Sequence, residues 1–141
     1  MSSHPTPYLV ELPRFGGPDV GHLSFFQNSP EKPFSMQRAY WVFGVPEGEI
    51  RGHHAHKELH QVLLALNGRI HLHLESLSGR FFEFVLSDPH VGVYVPPGHW
   101  RTLRFENQGV LLCLVSDLYT ESDYVRNYED FKRMQRDWRG I

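Results

Sequence analysis

Apolar positions along this chain alternate with polar ones or gather in short unbroken runs, and both patterns mark strands. Residues 8–12, 21–26, 38–43, 80–86, 91–95 and 99–105 fit this description, and 110–116 is an almost wholly apolar run suited to a central strand. Between them lie turn-forming groups: Phe15-Gly16-Gly17-Pro18-Asp19 as a loop, Val45-Pro46-Glu47-Gly48-Glu49, Asp88-Pro89, Pro96-Pro97-Gly98 and Asn107-Gln108-Gly109. Asn67-Gly68 separates the run 62–66 from 69–74, which predicts two strands joined by a tight hairpin turn. Strands at close spacing with no helix between them predict an all-β antiparallel sandwich or barrel.

The period changes only near the C-terminus. Tyr124, Tyr128, Phe131 and Trp138 recur at helical spacing behind Thr120-x-x-Asp123, a capping-box candidate, so one amphipathic α-helix is expected over about 121–138. The whole of 1–141 is expected to form a single domain, with strands over about 8–119 and a frayed lead over 1–6.

Composition narrows the function classes. A net charge of −2 with scattered basic residues leaves no footprint for nucleic acid. No apolar stretch approaches the roughly 20 residues of a membrane span, and no signal pattern opens the chain, so no membrane partner and a cytoplasmic location are expected. The lone Cys113 lies in the apolar run 110–115, where a buried inert thiol is expected.

Chemistry concentrates in 51–61, which holds four of the ten histidines. On an extended strand His54 and His56 point to one side and can serve one site, and Arg38 and Tyr40 share a face on theirs. Imidazole titrates nearest to neutral pH, so a barrel mouth holding His54, His56, Tyr40, Arg51 and Arg101 could bind an anion and move protons. His71 and His73 form a second His-x-His, but they alternate with Ile70, Leu72 and Leu74 and are read as solvent-facing. Tyr94 and Tyr119 are read as packing residues, and Lys57 with Glu58 as an exposed pair.

The order of elements resembles the cupin superfamily of jelly-roll barrels. The cupin metal motif runs His-x-His, Glu, Gly, with a later His after a Pro-x-Gly turn; here Gln61 stands at the glutamate's place and Arg101 at the last histidine's. A neutral amide and a permanently charged guanidinium are poor metal ligands, so no metal is expected, although a kinked strand could bring in His60 as a third ligand. Three further stretches sharpen the likeness: Arg51-Gly-x-His54-Ala-His56-Lys57-Glu58-Leu59-x-Gln61, then Gly92-x-Tyr94-Val95-Pro96-Pro97-Gly98-x-Trp100-Arg101, and Ser116-Asp117-x-Tyr119-x-Glu121-x-Asp123-Tyr124-x-Arg126-x-Tyr128. Together they resemble the dTDP-4-keto-6-deoxyglucose 3,4-ketoisomerase family.

That resemblance implies a cupin-type jelly-roll barrel of antiparallel strands with one C-terminal α-helix. It further implies a metal-free, cofactor-free cytoplasmic homodimer, an isomerase moving the keto group of a dTDP-linked 4-keto-6-deoxyhexose from C4 to C3 in deoxysugar biosynthesis. Moving a carbonyl in this way requires proton transfer through an enediol(ate). On this reading His54, His56 and Tyr40 carry protons, with His54 leading, while Arg51, Arg101, Arg38, Gln61 and Lys57 bind substrate. Two departures bear on the substrate and on C4 stereochemistry. Asp19-Val20-Gly21-His22-Leu23 lacks the arginine of Asp-x-Arg-Gly-x-Leu, with His22 a surface residue or an added proton donor. Tyr40-Trp41-Val42-Phe43-Gly44-Val45-Pro46 lacks the second tyrosine and the aspartate of Tyr-x-x-Tyr-Asp-Val-Pro. A metal-dependent cupin oxygenase and a non-catalytic nucleotide-sugar-binding cupin stand as the alternatives.

Overall fold

The structure, a computed structural model, describes residues 5–139; part of the expected frayed lead lies outside them. The elements are β1 (Tyr8–Glu11), β2 (Arg14–Gly17), β3 (Gly21–Ser24), β4 (Arg38–Val42), β5 (Ile50–His56), β6 (Gln61–Ser76), β7 (Phe81–Leu86), β8 (Val91–Val95), β9 (His99–Val115), a 3-10 turn (Glu121–Asp123), β10 (Tyr124–Val125) and α1 (Tyr128–Arg139). Every strand pairing is antiparallel.

Two long strands, β6 and β9, organise everything else. They pair from Gln61 opposite Val115 to Ser76 opposite His99, and the register shifts around Asn67. On one side of that shift the order is β1-β8-β6-β9-β4, and on the other it is β7-β6-β9-β5-β10. Each long strand therefore belongs to two layers and bends between them, which is how a jelly roll encloses its interior.

The hairpin expected at Asn67-Gly68 and the turn expected at Asn107-Gln108-Gly109 do not reverse the chain. Both lie within the continuous strands β6 and β9, facing one another at the bend. Gly68, Asn107 and Gln108 have φ of 70°, 54° and 58°. Left-handed residues suit a bulge as well as a turn, and here they supply the bend.

The first half of β6 is apolar throughout because both its faces are covered. Leu63 and Ala65 join the interior cluster with Leu72, Val93, Phe105 and Cys113, while Val62 and Leu64 lie in a second cluster beneath Phe26, Phe34 and Met36. Burying each such leucine contributes about 2 kcal/mol.

Two further corrections concern the ends of the chain. Residues 15–19 were expected as a loop, but β2 and β3 form a hairpin whose strands, among the described residues, pair only with each other, leaving Phe15, Val20 and Leu23 exposed. The C-terminal helix begins at Tyr128 rather than near 121, with the Asn127 side chain accepting from the Asp130 N–H; Thr120 makes no side-chain cap. Tyr124 is thus a strand residue, paired opposite His56. The helix packs Phe131 against Ala55 and Val125. Buried Glu75 pins it, accepting from Tyr128 Oη (2.6 Å), Lys132 Nζ (2.9 Å) and Gln135 Nε2 (2.8 Å). No helix among the described residues is long and apolar enough to cross a membrane.

Candidate active site

A local irregularity in β5 sets the geometry of the histidines. Gly52 takes φ +98° where a Cβ would lie 2.9 Å from the Arg101 carbonyl oxygen, and His53 follows at φ +53°. The resulting bulge between Gly52 and His54 leaves His53 exposed and returns the strand to alternation, so His54 and His56 face the same way. Their rings meet edge to face with centroids 5.0 Å apart, and the Tyr124 ring lies 5.1 Å from the first and 4.4 Å from the second.

Two cavities meet at Tyr124, which lines both. The inner one, about 270 Å³, is bounded by Tyr40, Arg51, His54, Arg101, Cys113 and Arg126 among others. The outer one, about 310 Å³, is bounded by Arg38, His56, Lys57, Asp117, Ser122 and Asp123 among others. All eight residues expected at the site cluster here. Arg51 and Lys57 are exposed at the openings, and Arg38 stacks over the Tyr40 ring at 5.2 Å while donating to the Asp117 carbonyl. Gln61 and Arg101, the two replacements in the metal motif, bond to each other: Arg101 Nη1 donates to Gln61 Oε1, and Gln61 Nε2 donates to Tyr40 Oη at 3.1 Å. The guanidinium is only 2 % exposed, so it belongs to the cavity wall.

His60 does not join this group. Its Nδ1 bonds Tyr94 Oη at 2.7 Å, beside Phe34. His22 is exposed on the separate β2–β3 hairpin. Tyr119 is exposed and donates to Glu121 rather than packing inside.

Electrostatics keep both site histidines uncharged. Burial, then the charge of Arg101, brings His54 down from 6.5 to about 4; burial, Arg101 and His54 bring His56 down to about 2. Burial raises Tyr40 well above the ordinary phenol range, with Cys113 adding to the effect, and burial pushes the Cys113 thiol up to about 12. The tautomers are readable from the partners: His54 Nδ1 meets the Gly52 carbonyl at 2.9 Å and His56 Nδ1 meets Asp123 Oδ2 at 2.9 Å. Each Nδ1 therefore carries the hydrogen and each Nε2 a lone pair, and neither Nε2 has a partner among the described residues. Two neutral bases, a phenol and a fixed guanidinium across these two adjoining cavities can remove a proton, hold the resulting anion and return a proton elsewhere.

The family model described as "FdtA: WxcM-like, C-terminal" matches residues 6–136. This chain belongs to the FdtA family. A TDP-4-oxo-6-deoxy-alpha-D-glucose-3,4-oxoisomerase of Aneurinibacillus thermoaerophilus is 40 % identical over 114 residues, 80 % of this chain and 81 % of that protein. Among solved structures, the sugar 3,4-ketoisomerase QdtA of Thermoanaerobacterium thermosaccharolyticum, in complex with TDP, is 34 % identical with a TM-score of 0.86 over 94 % of this chain and 96 % of its own. A 3,4-ketoisomerase of Helicobacter canadensis also reaches 0.86 at 32 % identity, over 95 % and 100 %. These matches agree with the cupin-type, mostly antiparallel β architecture described above.

In this FdtA-family chain, Asp123, Tyr124 and Arg126 are site residues that the reading of the sequence did not assign. They arrive on the segment after β9, through the pairing of Tyr124 with His56 and of Val125 with Ala55. Arg126 lies 4.0 Å over the Tyr124 ring and is fixed by Glu121. Their signal was the dense run of charged and aromatic residues between 117 and 128.

Proposed function

We propose that the chain is a 3,4-ketoisomerase of a TDP-linked 4-keto-6-deoxyhexose, acting as a cytoplasmic homodimer in deoxysugar biosynthesis. The observation that carries this reading is the pair of neutral imidazoles in edge-to-face contact, His54 on the cavity of Tyr40 and Arg101 and His56 on the cavity that meets it at Tyr124. The names of the relatives support it. His54 Nε2 takes the proton from C3, and the C–H electrons form the C3–C4 double bond as negative charge moves to O4. Arg101 faces that charge from a dry wall, where a fixed donor is worth more than in water. His54 passes that proton, exchanging with solvent on the way, to the lone pair of His56 Nε2, which then delivers a proton to C4; Tyr40 relays the hydroxyl proton from O3 to O4, so the carbonyl is left at C3, both imidazoles return to their neutral form and the composition is unchanged. Gln61 holds Tyr40 and Arg101 in place, while Arg51, Arg38 and Lys57 receive the diphosphate at the openings.

The test is incubation with TDP-4-keto-6-deoxyglucose in deuterated water, followed by NMR of the sugar ring. The expected result is a 3-keto product carrying deuterium at C4. Binding without conversion would instead favour a sugar-nucleotide-binding protein.

The proposed pathway has a pH signature. A catalytic base brought down from 6.5 to about 4 stays neutral through the mildly acid range, so kcat/KM should hold level as pH falls past 6.5 and decline only near 4. An acidic limb centred near 6.5 in the pH–rate profile would mean that His54 is not the base.

The dimer is supported by apolar side chains exposed on the projecting hairpin, Phe15, Val20 and Leu23, and on or beside β4, Trp41 and Phe43. Light scattering at micromolar concentration should give twice the chain mass. A monomer would contradict the proposal.

A further inference from the structure

His54 and His56 have the same tautomer but different partners: a neutral carbonyl for one, a carboxylate for the other. Asp123 is built firmly into its place. Its Oδ1 accepts the Glu58 N–H at 2.7 Å, its backbone carbonyl accepts the Lys57 N–H at 2.9 Å, and Tyr124 beside it pairs with His56. The remaining oxygen, Oδ2, meets His56 Nδ1, with the imidazole 1 % exposed and the carboxylate 18 %. Both ends of the bond are therefore held by backbone.

We infer that Asp123 is a positioning residue that divides the labour between the two histidines. This rests on the isomerase reading above. By accepting the Nδ1–H, Asp123 keeps the lone pair on His56 Nε2 and holds the ring against rotation. When Nε2 takes a proton, the adjacent carboxylate stabilises the imidazolium. His54 has no such anion; its Gly52 carbonyl orients the ring without neutralising a charge. His56 is consequently the imidazole suited to hold and deliver a proton, and His54 the one suited to abstract it and pass it on. Burial and Arg101 keep His56 neutral at rest, so the carboxylate acts on the transient charged form.

Asp123→Asn isolates this role, because the amide oxygen can still accept from Glu58 while its N–H₂ faces His56. In nitrogen-correlated NMR of the unliganded protein, His56 should switch from the Nδ1–H to the Nε2–H tautomer. Turnover with the 4-keto sugar should fall by about 10- to 100-fold, with KM within about threefold. Asp123→Glu, which restores an anion, should recover the Nδ1–H tautomer and part of kcat. An unchanged His56 tautomer in Asp123→Asn, or a kcat within about twofold of wild type, overturns the inference. So does equal loss in the Asn and Glu variants with matching melting temperatures. If wild-type protein does not convert the sugar, the isomerase reading fails by itself, while the tautomer measurement still decides whether Asp123 holds His56.

Discussion

His54→Asn should fold, bind the nucleotide sugar and turn it over about 10²–10⁴-fold more slowly. The asparagine amide can keep the donor that the imidazole offers to the Gly52 carbonyl, so the β5 bulge has no reason to rearrange. What disappears is the lone pair at the Nε2 position, an atom with no partner among the described residues. An amide does not cycle a proton at neutral pH, and the Cys113 thiol in the same wall, pushed up to about 12, is no substitute. KM should change little while kcat falls, because the variant keeps Arg51, Arg101 and Arg126 around the cavity. Initial rates and the appearance of deuterium in the sugar ring check the expectation. Near-wild-type deuterium incorporation would assign the proton transfer to other groups, with Tyr40 next in line.

Gly68→Ala should be the most damaging single methyl group in the barrel. Gly68 has φ +70°, and a Cβ there would lie 2.4 Å from the Asn107 carbonyl oxygen, 2.7 Å from that of Glu106 and 2.8 Å from Gly109 Cα. All three are backbone atoms of the opposing strand, at the bend where Asn107 and Gln108 also take left-handed conformations. Neither side can yield without breaking the β6–β9 ladder. Strain and overpacking together should cost about 3 kcal/mol or more, a large part of the roughly 5–15 kcal/mol that stabilises a domain, and lower Tm by about 10 °C. Gly48→Ala is the control: φ is +78° there too, but a Cβ would meet nothing within 4 Å, so only the conformational cost of about 1 kcal/mol remains. Equal melting temperatures for the two variants would show that the bend tolerates side chains.

The strands were legible because burial imposes its period on sequence: inward and outward residues alternate along β4, β7 and the first part of β9, and both buried faces of β6 appear as an unbroken apolar run. The two bulges were not, since Asn67-Gly68 and Asn107-Gln108 signal a left-handed backbone without saying whether the chain reverses or only bends. That choice is made by the partner strand. In the site, the shared face of His54 and His56 follows from two-residue periodicity and survives because the bulge falls before His54. The loss of the metal-motif glutamate and histidine was visible; that their replacements, Gln61 and Arg101, satisfy one another across 40 residues was not. Tyr124 was misassigned because its spacing to Tyr128 and Phe131 coincides with a helical period, although its ring packs against both imidazoles.

The segment Glu121–Arg126 lies beyond the last long strand yet contributes Asp123, Tyr124 and Arg126 to the site. The imidazoles and their carboxylate and phenol wall lie nearly 70 residues apart in the chain, so the long strands can pair and close most of the barrel without the last segment that completes the site. Chains truncated before Thr120 should keep the β6–β9 ladder and resist proteases yet be silent toward substrate.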